Sequence, residues 1–409
     1  MSNSANSGPK HILFLTSTNL ACNPRCLKEV RLLQPGTVKV TVVAFDLHNW
    51  TNEKEAALNK ELTDVTFHYL ESLRYDLGPW LFSSLLERIS RLFLPLLSWS
   101  TFWSAMAVDK RSWLLLRWVK RTTVKPDLVI AHNPPAFYAA ARMAAKEHIP
   151  FALDIEDFHP GEGNNRQQQS GVKTLMRRLF GKAAYISYAS PLIRRNSEAL
   201  ASAGKPSSFV VNNTFPSQDF NHTSPPETGK IKLVWFSQFI DYDRGLEKIL
   251  PAMDRFSGEL ELTLIGAIRQ PFFDAQIKNR DYVHCIPSLS QRQLHKELGK
   301  HDVGLALEDW TTDLNRNLCL TNKIWSYLLA GLYIVASDTE AQRLFLKEYA
   351  RHGVTTSLSV EAFAATLASL LSKREEIRAG RLQRTENAVA AGWENESMTL
   401  QKTWQQILS

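Results

Sequence analysis

Short β-rich apolar runs alternate with longer amphipathic stretches along the whole chain, and no other feature restricts its fold as much. The runs open at His11, Val38, Asp127, Phe151, Ala184 and Phe209, pause, and resume at Ile231, Leu260, Tyr282, Val303 and Tyr333. Strands separated by helix-length segments cannot pair as hairpins. They need crossovers, which predicts βα units around parallel sheets. The pause falls at 213–229, NTFPSQDFNHTSPPETG, where Asn, Pro, Ser and Thr dominate and a linker is expected. Two Rossmann-like halves follow, an α/β architecture whose ligands belong at strand carboxyl ends and in the cleft between halves. The 409 residues, 44% hydrophobic, suffice for two cored domains. The expected divisions are 1–212, a linker 213–229, 230–390 and a terminal segment 391–409. The stretch opening at Trp393 reads as helical and as crossing back to the first domain.

The start, MSNSANSGPK, lacks the charged-then-apolar profile of a secretory signal, so the chain is expected to be cytoplasmic. Cys22 and Cys26 stand one helical turn apart with no second pair to complete a zinc site, and all four cysteines are expected to be reduced and buried. The formal charge of +7 suits an anionic donor, an anionic membrane face or nucleic acid alike. Residues 74–125 break the alternation: they hold five of the eleven tryptophans, with nine basic residues against three acidic. The uncharged stretch 92–108 is interrupted by Pro95 and is too short to span a bilayer. Rings beside cations suit the headgroup layer, so the region reads as an interfacial hairpin on an anionic membrane or as a helical pair packed on the first sheet.

In the second half, a strand and turn lead to a helix opening near Arg244 and Gly245. Such a turn presents free N–H groups, and a cation beside them makes a pyrophosphate site. Asp241-Tyr242-Asp243 imitates a metal-binding acidic pair but is not read as one. Gly266 ends a strand and Pro287 precedes a helix, where a base could lie against backbone. Thr321, Asn322 and Lys323 fall at another helix start, placing N–H groups and an amine together. The first-half strand opening at Phe151 ends in Glu156, Asp157 and His159, read as the catalytic candidates. Asn19, Asn23, Arg25, His132 and Asn133 follow other strands and are read as acceptor contacts.

Thr18-NLACNPRCLKEVRLL, Pro126-DLVIAHNPPAF, the Asp154-IEDFHPGE loop, Ser237-QFIDYDRGLE, the helix at Asn322-KIWSYLLAG and the Trp393-Glu394 segment occur in an order that resembles the GT-B glycosyltransferases. The likeness is to the family-4-like enzymes of bacterial surface-polysaccharide assembly. That resemblance implies a donor nucleotide sugar on the second domain, a glycan or lipid-linked acceptor on the first, no metal and no other cofactor, no nucleic acid, and a final helix returning to the first domain. It also tilts towards retention and towards a peripheral place on the inner face of the cytoplasmic membrane. The implied donor contacts are Ser237, Gln238, Arg244, Gly245, Gly266, Pro287, Glu308, Thr321, Asn322, Lys323 and Ser326. Two positions depart from the family pattern. Gln238 stands where an arginine is usual, and Ser326 where a carboxylate grips the ribose. These departures keep two other readings open: a nucleotide-sugar 2-epimerase-like isomerase and a non-catalytic scaffold.

Overall fold

The computed structural model describes residues 8–33, 36–163, 165–201, 207–220, 229–311 and 313–409. The chain divides into two compact units, Met1–Val211 with Thr399–Ser409, and Asn212–Met398.

Unit 1 is built on seven strands: β1 (Lys10–Thr16), β2 (Val38–Asp46), β3 (Val65–Glu71), β4 (Leu128–His132), β5 (Phe151–Ile155), β6 (Tyr185–Tyr188) and β7 (Ser207–Val210). They pair in the order β3-β2-β1-β4-β5-β6-β7, every pair parallel. Unit 2 repeats the plan with β8 (Ile231–Ile240), β9 (Leu260–Ile268), β10 (Val283–Ile286), β11 (Val303–Ala306), β12 (Tyr333–Ser337) and β13 (Gly353–Thr356), ordered β10-β9-β8-β11-β12-β13. The central strands β1, β4 and β5 are buried on both faces, so their sequences are continuous apolar runs and not alternating ones. In each sheet the order reverses once, between β1 and β4 and between β8 and β11. At such a reversal adjacent crossovers leave to opposite faces and open a crevice at the carboxyl edge.

The helices that bear on function are α1 (Pro24–Arg31), α2 (Leu77–Leu97), α3 (Thr101–Val108), α4 (Arg111–Arg121), α5 (Pro134–Glu147), α6 (Leu246–Asp254), α7 (Asn322–Leu329) and α8 (Met398–Leu408). Residues 92–108 form the end of α2, a short turn and α3, rather than one hairpin arm. Pro95 lies in the last turn of α2, so the helix ends two residues later. The segment 213–220, read as linker, carries Phe215 and Phe220 into the core of unit 2; 221–228 lie outside the described residues.

The terminal segment does not cross as one helix. Trp393–Glu396 stays in unit 2, where the Trp393 amide donates to Phe215 O at 2.9 Å and Glu396 accepts from the amide and side chain of Asn212. After Ser397, α8 belongs to unit 1: Trp404 is 3% exposed and its Nε1 donates to Tyr185 Oη at 2.7 Å. Of the cysteines, all free, Cys26 and Cys319 are buried as expected but Cys22 and Cys285 are exposed. Cys22 closes a short 3-10 turn and Cys285 sits on edge strand β10, which has a neighbour on one side only.

Candidate active site

In unit 1, one register row crosses the carboxyl edge: Thr16, His132, Asp154 and Ser187 lie side by side on β1, β4, β5 and β6. α1 lays Arg25 and Glu29 over this row. The Arg25 guanidinium meets both Asp154 oxygens at 2.7 Å and donates to Val211 O at 2.5 Å. Glu29 lies 3.2 Å from His132 Nε2, and His132 Nδ1 is 3.3 Å from Asp154 and 3.4 Å from Glu156. Ser187 donates to Asp154 at 2.5 Å. Arg25, Glu29, His132 and Asp154 are wholly buried, and two cations facing two carboxylates offset the cost of removing them from water.

The electrostatics follow from this packing. Burial alone would strip the proton from His132, but Cys26, Glu29 and Asp154 outweigh it and hold the imidazolium well above the usual histidine range. Burial would raise Asp154, yet Arg25 and then His132 bring it below the ordinary carboxylate range. Burial raises Glu29. Glu29, His132 and Asp154 are close enough to share a cation. With both Asp154 oxygens already on Arg25, a metal would have to displace that guanidinium, so these residues do not fit one.

This arrangement corrects four acceptor expectations. Arg25 and His132 are structural ions with no exposed surface. Asn19, 1% exposed, accepts from the Cys22 amide at 3.0 Å and donates to Thr51 at 2.6 Å. Asn23, 2% exposed, caps α1 by accepting from the Cys26 amide at 2.9 Å. Only Asn133 stays half-buried at the crevice. Its φ of 68° and ψ of 145° lie where glycine is at home, so the backbone is strained there. Thr16 Oγ1 and Asn23 Nδ2 both donate to Asn133 Oδ1, at 3.0 and 3.4 Å, and hold it in place. Pro134 and Pro135 open α5, so that helix offers no N–H for an anion in its first two positions.

Beyond β5, Glu156 and Asp157 are half-buried and His159 is 7% exposed. Glu162 Oε2 lies 2.7 Å from His159 Nδ1. Burial works against the charged ring, but Glu162 raises its pKa, while His159 in turn lowers that of Glu162. His159 Nε2 is buried with no hydrogen-bond partner among the described residues. A ring whose proton is held this way is a better donor than base.

In unit 2, Ser237 and Gln238 are not in a turn: β8 runs on to Ile240, with its register slipping between Phe236 and Phe239. Gly266 is what allows this, because a Cβ there would stand 2.0 Å from Ser237 O. Its lack of a side chain lets the two strands approach this closely. Asp243 (φ 64°) and Gly245 (φ 83°) turn the chain into α6, and Arg244 is exposed between them. Arg316 Nη1 donates to Asp243 O at 2.7 Å, and Lys248 pairs with Asp309 at 2.6 Å, so two separate segments brace this turn and the loop after β11. Asp241 accepts from the Tyr242 amide and joins Asp243 in no metal-type cluster among the described residues. Pro287 is exposed just after edge strand β10.

Across the β8/β11 reversal, Glu308 is 2% exposed and its amide donates to Ser337 Oγ at 2.7 Å. Lys323, 9% exposed, points its amine 3.5 Å from Glu308 Oε1 and 5.7 Å from the centre of the Trp235 ring. Thr321 occupies the N-cap position of α7 but makes no capping bond. Thr321 Oγ1, Ser326 Oγ and Glu308 Oε1 are buried without a hydrogen-bond partner among the described residues. Asn322 is half-buried at the helix start. Buried oxygens of this kind are met in a folded protein by ordered water or by a ligand.

Sequence reasoning missed Glu29, Trp235, Lys248, Asp309 and Arg316. Their partners lie far along the chain, 61 residues for Lys248 and 73 for Arg316, and no local pattern marks such pairs.

Residues 22–212 match the family described as glycosyl transferase 4-like domain. No curated protein matches the sequence. Among solved structures, HepE from Anabaena in complex with UDP-glucose is similar over 97% of this chain and 99% of its own, with TM-score 0.66 and 13% identity. A glycosyltransferase from Rickettsia africae shares 11% identity over 98% and 100% of the two chains, TM-score 0.62. The α,α-trehalose 6-phosphate synthase of Burkholderia multivorans shares 10% over 98% and 97%, TM-score 0.62. Two parallel-sheet units, matched nearly end to end, are the GT-B fold, and residues 22–212 of the chain carry the match to the glycosyl transferase 4-like domain.

Proposed function

We propose that the enzyme transfers a sugar from a nucleotide-sugar donor, held by unit 2, to a glycan or lipid-linked acceptor presented to unit 1 at an anionic membrane surface. A uridine diphosphate sugar is the donor of choice, because HepE was solved with UDP-glucose and shares this fold. One observation carries the donor assignment: Lys323 stands at the start of α7 beside buried, unmet oxygens of Glu308, Thr321 and Ser326. The amine and the free N–H groups of the helix start would balance the diphosphate as it leaves, and the unmet oxygens would accept from donor hydroxyls. With the amine and those N–H groups on the diphosphate, the transfer needs no metal. His159 serves as a charged N–H donor, while Glu156 and Asp157 supply carboxylates for the reacting sugar, in a transfer with retention. The setting is cell-surface polysaccharide assembly.

Membrane contact rests on α2, whose faces are reversed relative to a soluble helix. It buries Ser83, Ser90 and Leu94 and exposes Leu77, Leu81, Phe82, Leu85, Ile89, Leu92, Phe93 and Leu96. The exposed side chains recur at helical spacing with Arg88 among them, an arrangement for lying in the headgroup layer. No described helix is long and apolar enough to cross a membrane. A Lys323→Ala variant tests the donor site: kcat/KM with UDP-glucose and a membrane extract should fall about 100-fold. An unchanged rate, or wild-type protein that neither hydrolyses nor transfers any UDP, GDP, dTDP or CMP sugar, would sink the reading. Chelators should leave the rate unchanged.

A further inference from the structure

The helical segment of unit 1 carries a groove that sugar transfer does not use. It is open, about 450 Å³, and runs between the start of α2 and the second half of α4. Phe82, Trp113 and Leu116 give it an apolar lining; Arg117, Lys120 and Arg121 add three cations, and no carboxylate lines it. The Arg117 guanidinium lies over the Trp113 ring, 5.5 Å from its centre, which holds it at the groove. Of the three acids in the segment, Glu87 pairs with Arg91 at 2.6 Å and Asp109 accepts from the Arg111 amide, while Asp76 is exposed at the start of α2 and does not line the groove.

Basic residues in the last turn of a helix commonly serve its free carbonyls. Here that work is done by another side chain: Lys146 Nζ donates to Val119 O and Thr122 O at 3.3 and 2.9 Å. Lys120 and Arg121 thus have no ion-pair partner among the described residues and are not required as caps. A groove with a greasy lining and a triple positive rim matches a ligand that is apolar at one end and anionic at the other. Free phosphate would leave Phe82 and Trp113 uncovered. An acyl chain would cover them and continue along Leu81 and Leu85, exposed on the same helix.

We propose that this groove binds one anionic phospholipid, with its phosphate among Arg117, Lys120 and Arg121 and the first part of an acyl chain against Phe82, Trp113 and Leu116. The inference deepens the membrane-contact reading above and rests on it for its biological setting. Its test does not require a membrane. Calorimetry of the full chain with dihexanoyl phosphatidylglycerol, kept below micelle formation, should show saturable one-to-one binding. R117E/K120E/R121E and Trp113→Ala should each weaken it at least tenfold. R74E/K110E/K125E, which removes equal charge elsewhere in the segment, should not. Glycerol phosphate and inorganic phosphate should bind at least tenfold more weakly than the lipid.

Equal weakening by the two charge triples, equal binding of glycerol phosphate, or no saturable binding overturns the groove assignment. Flotation with phosphatidylcholine vesicles containing phosphatidylglycerol reports docking separately. Vesicle binding without uptake of the soluble lipid leaves docking standing and removes the groove. Uptake of the lipid without flotation does the reverse.

Discussion

Arg25 and Lys323 are both nearly excluded from water. Arg25 spends its guanidinium on Asp154 and Val211, whereas Lys323 has only Glu308 at 3.5 Å and the Trp235 ring at 5.7 Å against its amine among the described residues. The first is a structural ion, and the second is the cation that the proposed donor site uses. Removing one partner from a fully buried pair leaves the other charge stranded, so Asp154→Asn should cost about 3–5 kcal/mol in urea unfolding while leaving the proposed donor site of unit 2 intact. The pH dependence has a definite sign. His132 is held above its unfolded value of 6.5, so its contribution is complete below that pH and fades as pH rises through the folded value. Asp154 is lowered, so its contribution is present above 3.8 and fades as pH falls through the depressed value. His132→Gln should therefore flatten the alkaline fall in stability and leave the acid limb, set by Asp154 and Arg25, in place. Unchanged alkaline behaviour would refute the charged assignment of His132.

At the scale of elements, α2 is the informative one. A helix that turns serine inward and leucine outward gains little from folding through its outer face. Replacing Leu81, Leu85 and Leu92 together by Ser should therefore shift stability by no more than about 0.5 kcal/mol per site. Flotation with phosphatidylglycerol vesicles should drop at least tenfold. A large loss of Tm would mean that the stripe packs inside the protein. The strands show which elements local pattern can reveal. Those in the middle of each sheet are rich in buried apolar residues, and each shows at least in part as an apolar run. β3 and β13 were not, because each is an edge strand with one neighbour and only partial burial, and neither needs an apolar run. β8 was legible in its first half only, since its slip past Gly266 depends on a strand elsewhere in the sheet.

At the scale of the molecule, the chain's last eleven residues are grouped with its first domain. Trp404 packs edge-on against Phe14 at 6.3 Å besides bonding Tyr185, so α8 completes the core of unit 1. Trp404→Ala should destabilise unit 1 by about 3–5 kcal/mol and leave the unfolding of unit 2 unchanged. A single transition shifting as a whole would show that the units unfold together. The sequence by itself determined the α/β class, the parallel sheets, the doubling of the plan and the helix start at Asn322, because apolar periodicity and helix starts are local properties. Only the tertiary structure decided which polar side chains are left over for chemistry. Arg25 and Asp154 lie 129 residues apart, and whether a charge is spent on the fold or kept for a substrate depends on what the fold brings beside it.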